Sequence, residues 1–365
     1  MPETHVTRRA ALRELLRAAD LDALFLVDLR NIRYLTGFTG SNATLVVSAD
    51  SEAKSVFCTD GRYLTVSERQ VPELERLIDR ASDKALMDRM ATDAAAYRRT
   101  GFESHHVTVD QLDLLTENGA GIELVRAPGL VEELRLVKDD AEIHALRMAC
   151  GAADRALADL LAAGGLRPGR TEREVARDLE NRMIEHGADA VAFDTIVAFG
   201  PNSAVPHHRP TGAELRVGDF VKLDFGALVD GYHSDMTRTL VVGPPADWQR
   251  EIYELVARSQ AAGRAALAPS VDVTEVDFAA RSVIEDAGYG ERFLHGLGHG
   301  VGLEIHEAPS LSMTGTGRLS AGMAVTVEPG VYLAGRGGVR IEDTLVVRAA
   351  APELLTLTTK ELVVV

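Results

Sequence analysis

Four carboxylates in two spaced pairs are the residues with the most chemical promise: Asp224 with Asp235, and Glu328 with Glu342. Each pair lies on what reads as a pair of strands, 220–224 with 235–242 and 324–328 with 339–347. In the first pair Asp230-Gly231 is a two-residue hairpin signal. With those two in the turn, Val229 pairs with Tyr232, Gly226 faces Asp235 and Asp224 faces Thr237. Residues 224 and 226 share a strand face, so both acids do as well. Diagonal neighbours on one face lie within roughly 8 Å, a span that two cations about 3.5 to 4 Å apart can bridge. Gly226 leaves room beside them. Acids facing inward among Val221, Leu223, Phe225, Leu240 and Val241 repel one another and desolvate at high cost unless a cation or a donor compensates. Acids of a single hairpin often face solvent instead, so neither pair decides the matter alone.

The histidines shift the balance. Of the 11 in the chain, His207, His208, His233, His295, His299 and His306 all fall between 207 and 306. The segment running from His295 to Glu307 is too rich in glycine for a stable helix. In extended form His295 and His299 share a face, and the interspersed glycines are expected to let backbone approach a ligand closely. Other templates fit worse. His306-Glu307-Ala308-Pro309 lacks the second histidine of a zincin helix, and Pro309 would break that helix. Gly296-Leu297-Gly298-His299-Gly300 lacks the spacing of a dinucleotide loop, and neither a Gly-x-Ser-x-Gly elbow nor a Gly-Lys-Ser/Thr loop occurs.

The elements that must position these groups can be read from periodicity. Residues 8–19 have helical spacing, strands are expected at 23–27, 43–47, 55–59 and 122–125, and helices at 85–97 and 109–117. The first ~125 residues therefore read as a mixed sheet with helices on it. At Ala127-Pro128-Gly129 the composition changes to a long helical stretch over 130–163, which puts a domain boundary near 130, giving domains 1–130 and 131–365. Within the second domain one order of elements occurs twice. A helix over 139–163, Pro168-Gly169, a helix opened by the capping box Thr171-Glu172-Arg173-Glu174 and a strand pair are followed by a helix over 247–268, Pro269, a helix over 274–287 and the second strand pair. A two-fold arrangement of these halves brings all four acids to one centre.

Composition bounds the partners. The chain has 365 residues, 39 Lys or Arg against 55 Asp or Glu and a formal charge of −16, which disfavours tight nucleic-acid binding. It is 46% hydrophobic and 26% charged, an ordinary globular balance. No apolar run is long enough for a membrane span and the first ten residues have no apolar core of a signal peptide, so no membrane partner is expected. Cys58 and Cys150 are too few for a disulfide framework, which fits a reducing cytoplasm.

The strings Leu223-Asp224-Phe225-Gly226, Ser234-Asp235-Met236-Thr237-Arg238-Thr239, His299-Gly300-Val301-Gly302, Val327-Glu328-Pro329-Gly330 and Arg340-Ile341-Glu342-Asp343 together resemble the pita-bread metallopeptidases, specifically the Xaa-Pro peptidases. The resemblance extends to Pro206-His207-His208 and to Tyr34-Leu35-Thr36-Gly37-Phe38 and Asp60-Gly61-Arg62-Tyr63 near the N-terminus. It implies an α+β chain: a creatinase-like mixed α/β N-terminal domain followed by a pita-bread catalytic domain with a pseudo-two-fold repeat. Carried over residue by residue, Asp224 chelates one metal ion, Asp235 and Glu342 bridge two, and His299 with Glu328 complete the other. Four carboxylates and one imidazole suit Mn(II) or Co(II) and do not exclude Zn(II). His207, His295 and His306 match histidines that orient substrate and stabilise the tetrahedral intermediate, while His208 is expected to be incidental. Thr237 is implied as a hydroxyl donor to a ligating carboxylate. Glu328 is the natural proton shuttle toward the proline nitrogen, and Arg340 either holds Glu342 or the substrate, or forms a buried structural ion pair.

The implied reaction is hydrolysis of the Xaa-Pro bond in short proline-containing peptides by a cytoplasmic homodimer. Archaeal-type prolidases carry an arginine a few residues after the histidine that matches His306; this chain has Pro309-Ser310 there, which weakens a strict dipeptidase reading and leaves Arg62 or Arg336 to meet a peptide carboxylate. Two other classes, a pita-bread binding protein without a metal and a creatinase-like amidinohydrolase, belong to branches that have lost ligands, whereas all five are present here.

Overall fold

The structure is a computed structural model that describes residues 2–365. Its chain divides into two compact units, Met1–Arg135 and Leu136–Val365.

The elements of the first unit are α1 (Pro2–Ala18), β1 (Ala23–Leu26), α2 (Leu29–Thr36), β2 (Ala43–Ser48), β3 (Val56–Thr59), α3 (Leu64–Gln70), β4 (Glu75–Ile78), α4 (Ser82–Ala91), β5 (Arg99–Phe102), α5 (Val109–Asn118), β6 (Glu123–Arg126) and α6 (Leu130–Arg135). The six strands form one mixed sheet in the order β4-β3-β2-β1-β5-β6. The central strands β1, β2 and β3 are buried along their whole length, as unbroken apolar runs require when both faces are covered. Residues of α4 and α5 (Leu86, Met87, Met90, Leu115) close one face over Phe25, Val46 and Cys58. The helix expected over 85–97 stops at Ala91, and a separate 3₁₀ turn covers Ala94–Tyr97. Thr92 and Asp93 lie between them, and the Thr92 hydroxyl caps the carbonyl of Arg89 instead of continuing the helix. The structure adds strands β4 and β5 to those expected from the sequence.

The second unit contains α7 (Asp140–Ala162), α8 (Glu172–Glu185), β7 (Ala190–Val191), β8 (Ile196–Phe199), β9 (Phe220–Phe225), β10 (Ala227–Val229), β11 (Tyr232–His233), β12 (Met236–Val241), α9 (Asp247–Ala266), α10 (Val273–Asp286), β13 (Gly298–Gly300), β14 (Glu307–Leu311), β15 (Ala324–Val327), β16 (Gly330–Leu333), β17 (Gly337–Arg340), β18 (Asp343–Val346) and β19 (Glu353–Leu354). The long helical stretch expected over 130–163 is interrupted: Lys138 N–H bonds the carbonyl of Gly322, Val137 bridges Met323, and Asp139 starts α7 with a full capping box.

The repeat is visible in the sheets. In the first half β8, β9 and β12 form one antiparallel sheet and β10 belongs to a small one; in the second, β13, β15 and β18 take the same places and β16 with β17 form the small sheet. This is the pita-bread architecture. The hairpin register is the expected one, with Val229 opposite Tyr232 and Thr237 opposite Asp224. The second strand pair departs from expectation, because 339–347 breaks after Arg340 and resumes at Asp343 in another sheet. At the break, Glu342 N–H bonds the carbonyl of Thr237 in the first half. Behind the break, the buried Arg238 guanidinium ion-pairs with Asp343 at 2.8 Å and also bonds the carbonyls of Thr237 and Glu342, which locks the two halves together. Among the described residues no helix is long and apolar enough to cross a membrane, and both cysteines are free and buried.

Candidate metal centre

The pseudo-symmetry sets where the acids emerge. Asp235 and Glu342 each stand one residue before the strand that carries them inward, β12 and β18, while Asp224 lies within β9 and Glu328 just beyond β15. Ligand atoms of Asp235, His299 and Glu342 all lie within 4.8 Å of one another. His299 Nε2 is 3.3 Å from Glu328 Oε1 and 3.5 Å from Asp235 Oδ2. Asp224 joins through Arg340, whose Nη2 donates to its Oδ2. Eight of the nine site residues expected from the sequence line a cavity of about 260 Å³; His295 does not, and is linked to the lining residue Arg340 through Tyr332.

The donor set fits a cation. Asp224 Oδ1 and Glu342 Oε1 are buried without a hydrogen-bond partner, at a cost that a cation would remove. The other Glu342 oxygen accepts from Thr237 Oγ1 at 2.7 Å, and that hydroxyl in turn accepts from Arg340 Nε at 2.9 Å. Thr237 therefore orients the carboxylate as expected. His299 Nδ1 lies 3.0 Å from the carbonyl of Gly300, which can only accept, so Nδ1 carries the proton and Nε2 faces the acids.

The electrostatics express the crowding. Burial, and then the charges of Glu342 and Asp224, push the Asp235 carboxyl well above its ordinary range. Burial followed by Glu328 and Asp224 does the same to Glu342. Glu328 goes the other way: burial alone would raise it, but the hydrogen bond and charge of His299, with His295 and Arg340, hold it at about 2. His299 is raised by the same contact against the effect of burial. Burial lowers His295 and His306, keeping both imidazoles neutral. The His306 ring sits edge-on to His299, 4.4 Å between centroids.

Arg340 is 2% exposed and has no single partner. It touches Asp224 and Thr237, reaches Glu328 Oε2 at 3.9 Å, and donates to the carbonyl of Pro206 at 3.2 Å and to Tyr332 Oη at 2.8 Å. Tyr332 is the residue that sequence reasoning missed. Its hydroxyl joins Arg340 to His295 Nε2, also 2.8 Å away, while His295 Nδ1 donates to the carbonyl of Gly296. The letters around Glu328 carried no signal for Tyr332, because β15 ends at Val327 and Tyr332 lies on β16, in a different sheet. Two of the clustered histidines serve the scaffold. His208 bonds Glu172 at 2.8 Å while also bordering the cavity, and His233 Nδ1 bonds the carbonyl of Gly302. The glycines around His299 also act differently from expectation. A Cβ on Gly298 would lie 2.1 Å from the carbonyl of Thr326 and one on Gly300 2.0 Å from that of Ala308, so these glycines admit neighbouring backbone rather than a ligand. In the first unit Asp60 caps the turn that contains Arg62, and the Arg62 guanidinium, 68% of its side chain exposed, donates to the same carboxylate at 2.8 Å.

Comparison with known proteins agrees with this geometry. Residues 144–349 match the metallopeptidase family M24, and residues 8–137 match the creatinase/prolidase N-terminal domain. The chain belongs to metallopeptidase family M24. It is 39% identical over 353 residues to an uncharacterised peptidase, YqhT, of Bacillus subtilis, covering 97% of this chain and 98% of that one. An Xaa-Pro dipeptidase from Bacillus anthracis superposes with a TM-score of 0.93 at 38% identity, covering 99% and 100% of the two chains. An X-Pro aminopeptidase from Thermotoga maritima superposes with a TM-score of 0.87 at 31% identity, covering 97% and 98%. Membership of M24 makes this a hydrolase of peptide bonds that uses divalent metal, and the cluster of Asp235, His299 and Glu342 is the group suited to hold it.

Proposed function

We propose that this M24 peptidase hydrolyses the Xaa-Pro bond of short peptides with two divalent ions held by Asp224, Asp235, His299, Glu328 and Glu342. The observation that carries the reading is the pair of unpartnered buried oxygens, Asp224 Oδ1 and Glu342 Oε1, among carboxylates compensated otherwise by Arg340, Thr237, His299 and the Thr326 hydroxyl. The oxygen-rich set favours Mn(II), with Co(II) or Zn(II) as substitutes. When bound, such ions supply Lewis acidity toward the scissile carbonyl and ease deprotonation of the attacking water.

The chain's own groups do the rest. Glu328, held ionised beside His299, takes the water's proton and delivers it to the proline nitrogen, which has no N–H of its own. His207 and His306 border the cavity and donate hydrogen bonds to the oxyanion. His295 acts through Tyr332 to hold Arg340, and Arg340 fixes Asp224 and Thr237. With Pro309-Ser310 after His306, peptides longer than a dipeptide fit this reading, and Arg336, or Arg62 of a second copy in the dimer, is the candidate partner for a terminal carboxylate. A cytoplasmic homodimer completes the proposal. The deciding assay is release of the first residue from Xaa-Pro and Xaa-Pro-Yaa substrates by chelator-stripped and Mn(II)-loaded protein. Turnover of either substrate only with metal is expected; equal turnover by stripped protein, or cleavage of substrates without proline alone, would overturn it.

A further inference from the structure

Lys222 has no part in the chemistry above, yet it lies at the floor of the site. It precedes Asp224 by two residues on β9, so the two side chains leave the same strand face, and it stands opposite Thr239 as Asp224 stands opposite Thr237. Its side chain is 0% exposed. Among the described residues its ammonium forms no ion pair. Instead Nζ donates to two backbone carbonyls, Val205 at 2.6 Å and Pro206 at 3.1 Å, and lies 5.2 Å from the centre of the Tyr332 ring. A buried ammonium compensated only by carbonyls and a ring is a costly choice for a strand position that an apolar side chain would fill.

What the ammonium holds explains the choice. Val205 and Pro206 immediately precede His207, whose exposed side chain borders the cavity. The segment leaves the 3₁₀ turn Gly200–Ala204 and is not part of a strand. Its far end is pinned by the bond of His208 to Glu172. In between, the inward carbonyls meet only Lys222 and, at Pro206, Arg340. We infer that Lys222 is a positioning residue for His207: it fastens the Val205–Pro206 peptide from beneath, so that the imidazole keeps its place over the reacting carbonyl. This rests on the reading of His207 as an oxyanion donor.

The test uses the Mn(II)-loaded full chain. Lys222→Met keeps the apolar stem and removes the donors. It should lower kcat roughly tenfold with little change in KM, within the ~10²-fold that a displacement of about 1 Å can cost. In a His207→Ala background the same change should cost nothing further, because it acts through the missing ring. Hydrogen–deuterium exchange of peptides spanning 201–212 should quicken while those of β9 and β12 stay as in the wild type. Lys222→Gln, with a donor on a shorter arm, should fall between the two, and it carries the comparison if Lys222→Met does not fold. An equal loss in both backgrounds, a loss traced to missing metal, or unchanged exchange would each overturn the inference. If His207→Ala itself leaves kcat untouched, the oxyanion reading falls, whereas faster exchange in Lys222→Met still supports the fastening.

Discussion

Replacing Asp235 by Asn should stabilise the metal-free protein and destabilise the metal-loaded one. Asp235 and Glu342 oxygens lie within 4.8 Å of one another in a buried cluster. At that distance and an effective dielectric of about 20, two like charges repel by roughly 3 kcal/mol. An independent ceiling comes from protonation: holding one carboxyl neutral at pH 7, against an unfolded value near 3.9, costs about 4 kcal/mol. Arg340 and Thr237 relieve part of this, so a gain of about 2 to 3 kcal/mol is expected for the Asn variant. That is a rise in Tm of about 4 to 12 °C for a unit of this size. The sign with pH follows from the raised folded-state pKa. Wild-type Asp235 contributes its full share of stability below its unfolded value near 4, and that share is lost as pH rises toward the elevated folded value. The difference between variant and wild type should therefore be near zero at pH 4 and grow to pH 8. Excess Mn(II) adds about 4 kcal/mol per ion at a thousandfold excess over Kd, and the variant, lacking one ligand, should gain much less. Thermal unfolding of chelator-stripped and Mn(II)-loaded proteins at pH 4 to 8 would show the order invert. A stripped Asn variant less stable than wild type at pH 7, or a difference flat in pH, would refute the claim that these acids are held against their own repulsion.

The remaining predictions concern single contacts. His207→Ala and His306→Ala should each lower kcat about 10²-fold with metal content unchanged, since each removes one oxyanion donor; elemental analysis showing a lost ion would make that histidine a ligand instead. Thr237→Val removes the hydroxyl between Arg340 and Glu342 and should weaken Mn(II) binding by about 10- to 100-fold in calorimetric titration. An unchanged Kd would reduce Thr237 to packing. Tyr332→Phe leaves a buried Arg340 N–H and His295 Nε2 without their shared partner, which should cost about 1.5 to 3 kcal/mol in denaturant unfolding; wild-type stability would mean the two bond each other or water.

How much of this could be read beforehand depended on how local the cause was. The hairpin register was legible because Asp230-Gly231 is adjacent to the strands it sets: once the turn is placed, Asp224 must face Thr237. The convergence of four acids was legible because the same order of elements recurs, so one hairpin's geometry informs the other. The break of 339–347 after Arg340 was not, since nothing in that run marks it. Its cause is the carbonyl of Thr237, 105 positions away, which draws Glu342 out of the ladder. The glycines around His299 were read toward a ligand for the same reason: the carbonyls of Thr326 and Ala308 that crowd them belong to strands whose pairing the local letters do not specify.

Lys222 is the extreme case of this dependence. In the letters Phe220-Val221-Lys222-Leu223-Asp224 the lysine alternates with apolar residues, and on its own that pattern puts a charge in water. Burial comes from the loop at 205–206 and from Tyr332 on β16, neither of which is near in sequence. The same covering residues also touch Arg340, through the carbonyl of Pro206 and the hydroxyl of Tyr332. The floor of the centre is thus a single hydrogen-bonded layer with two buried cations, one engaging Asp224 and both engaging the loop that presents His207. A change in either cation should reach the acids and the histidine together, and the Lys222 and His207 variants, compared singly and combined, measure how far that coupling extends.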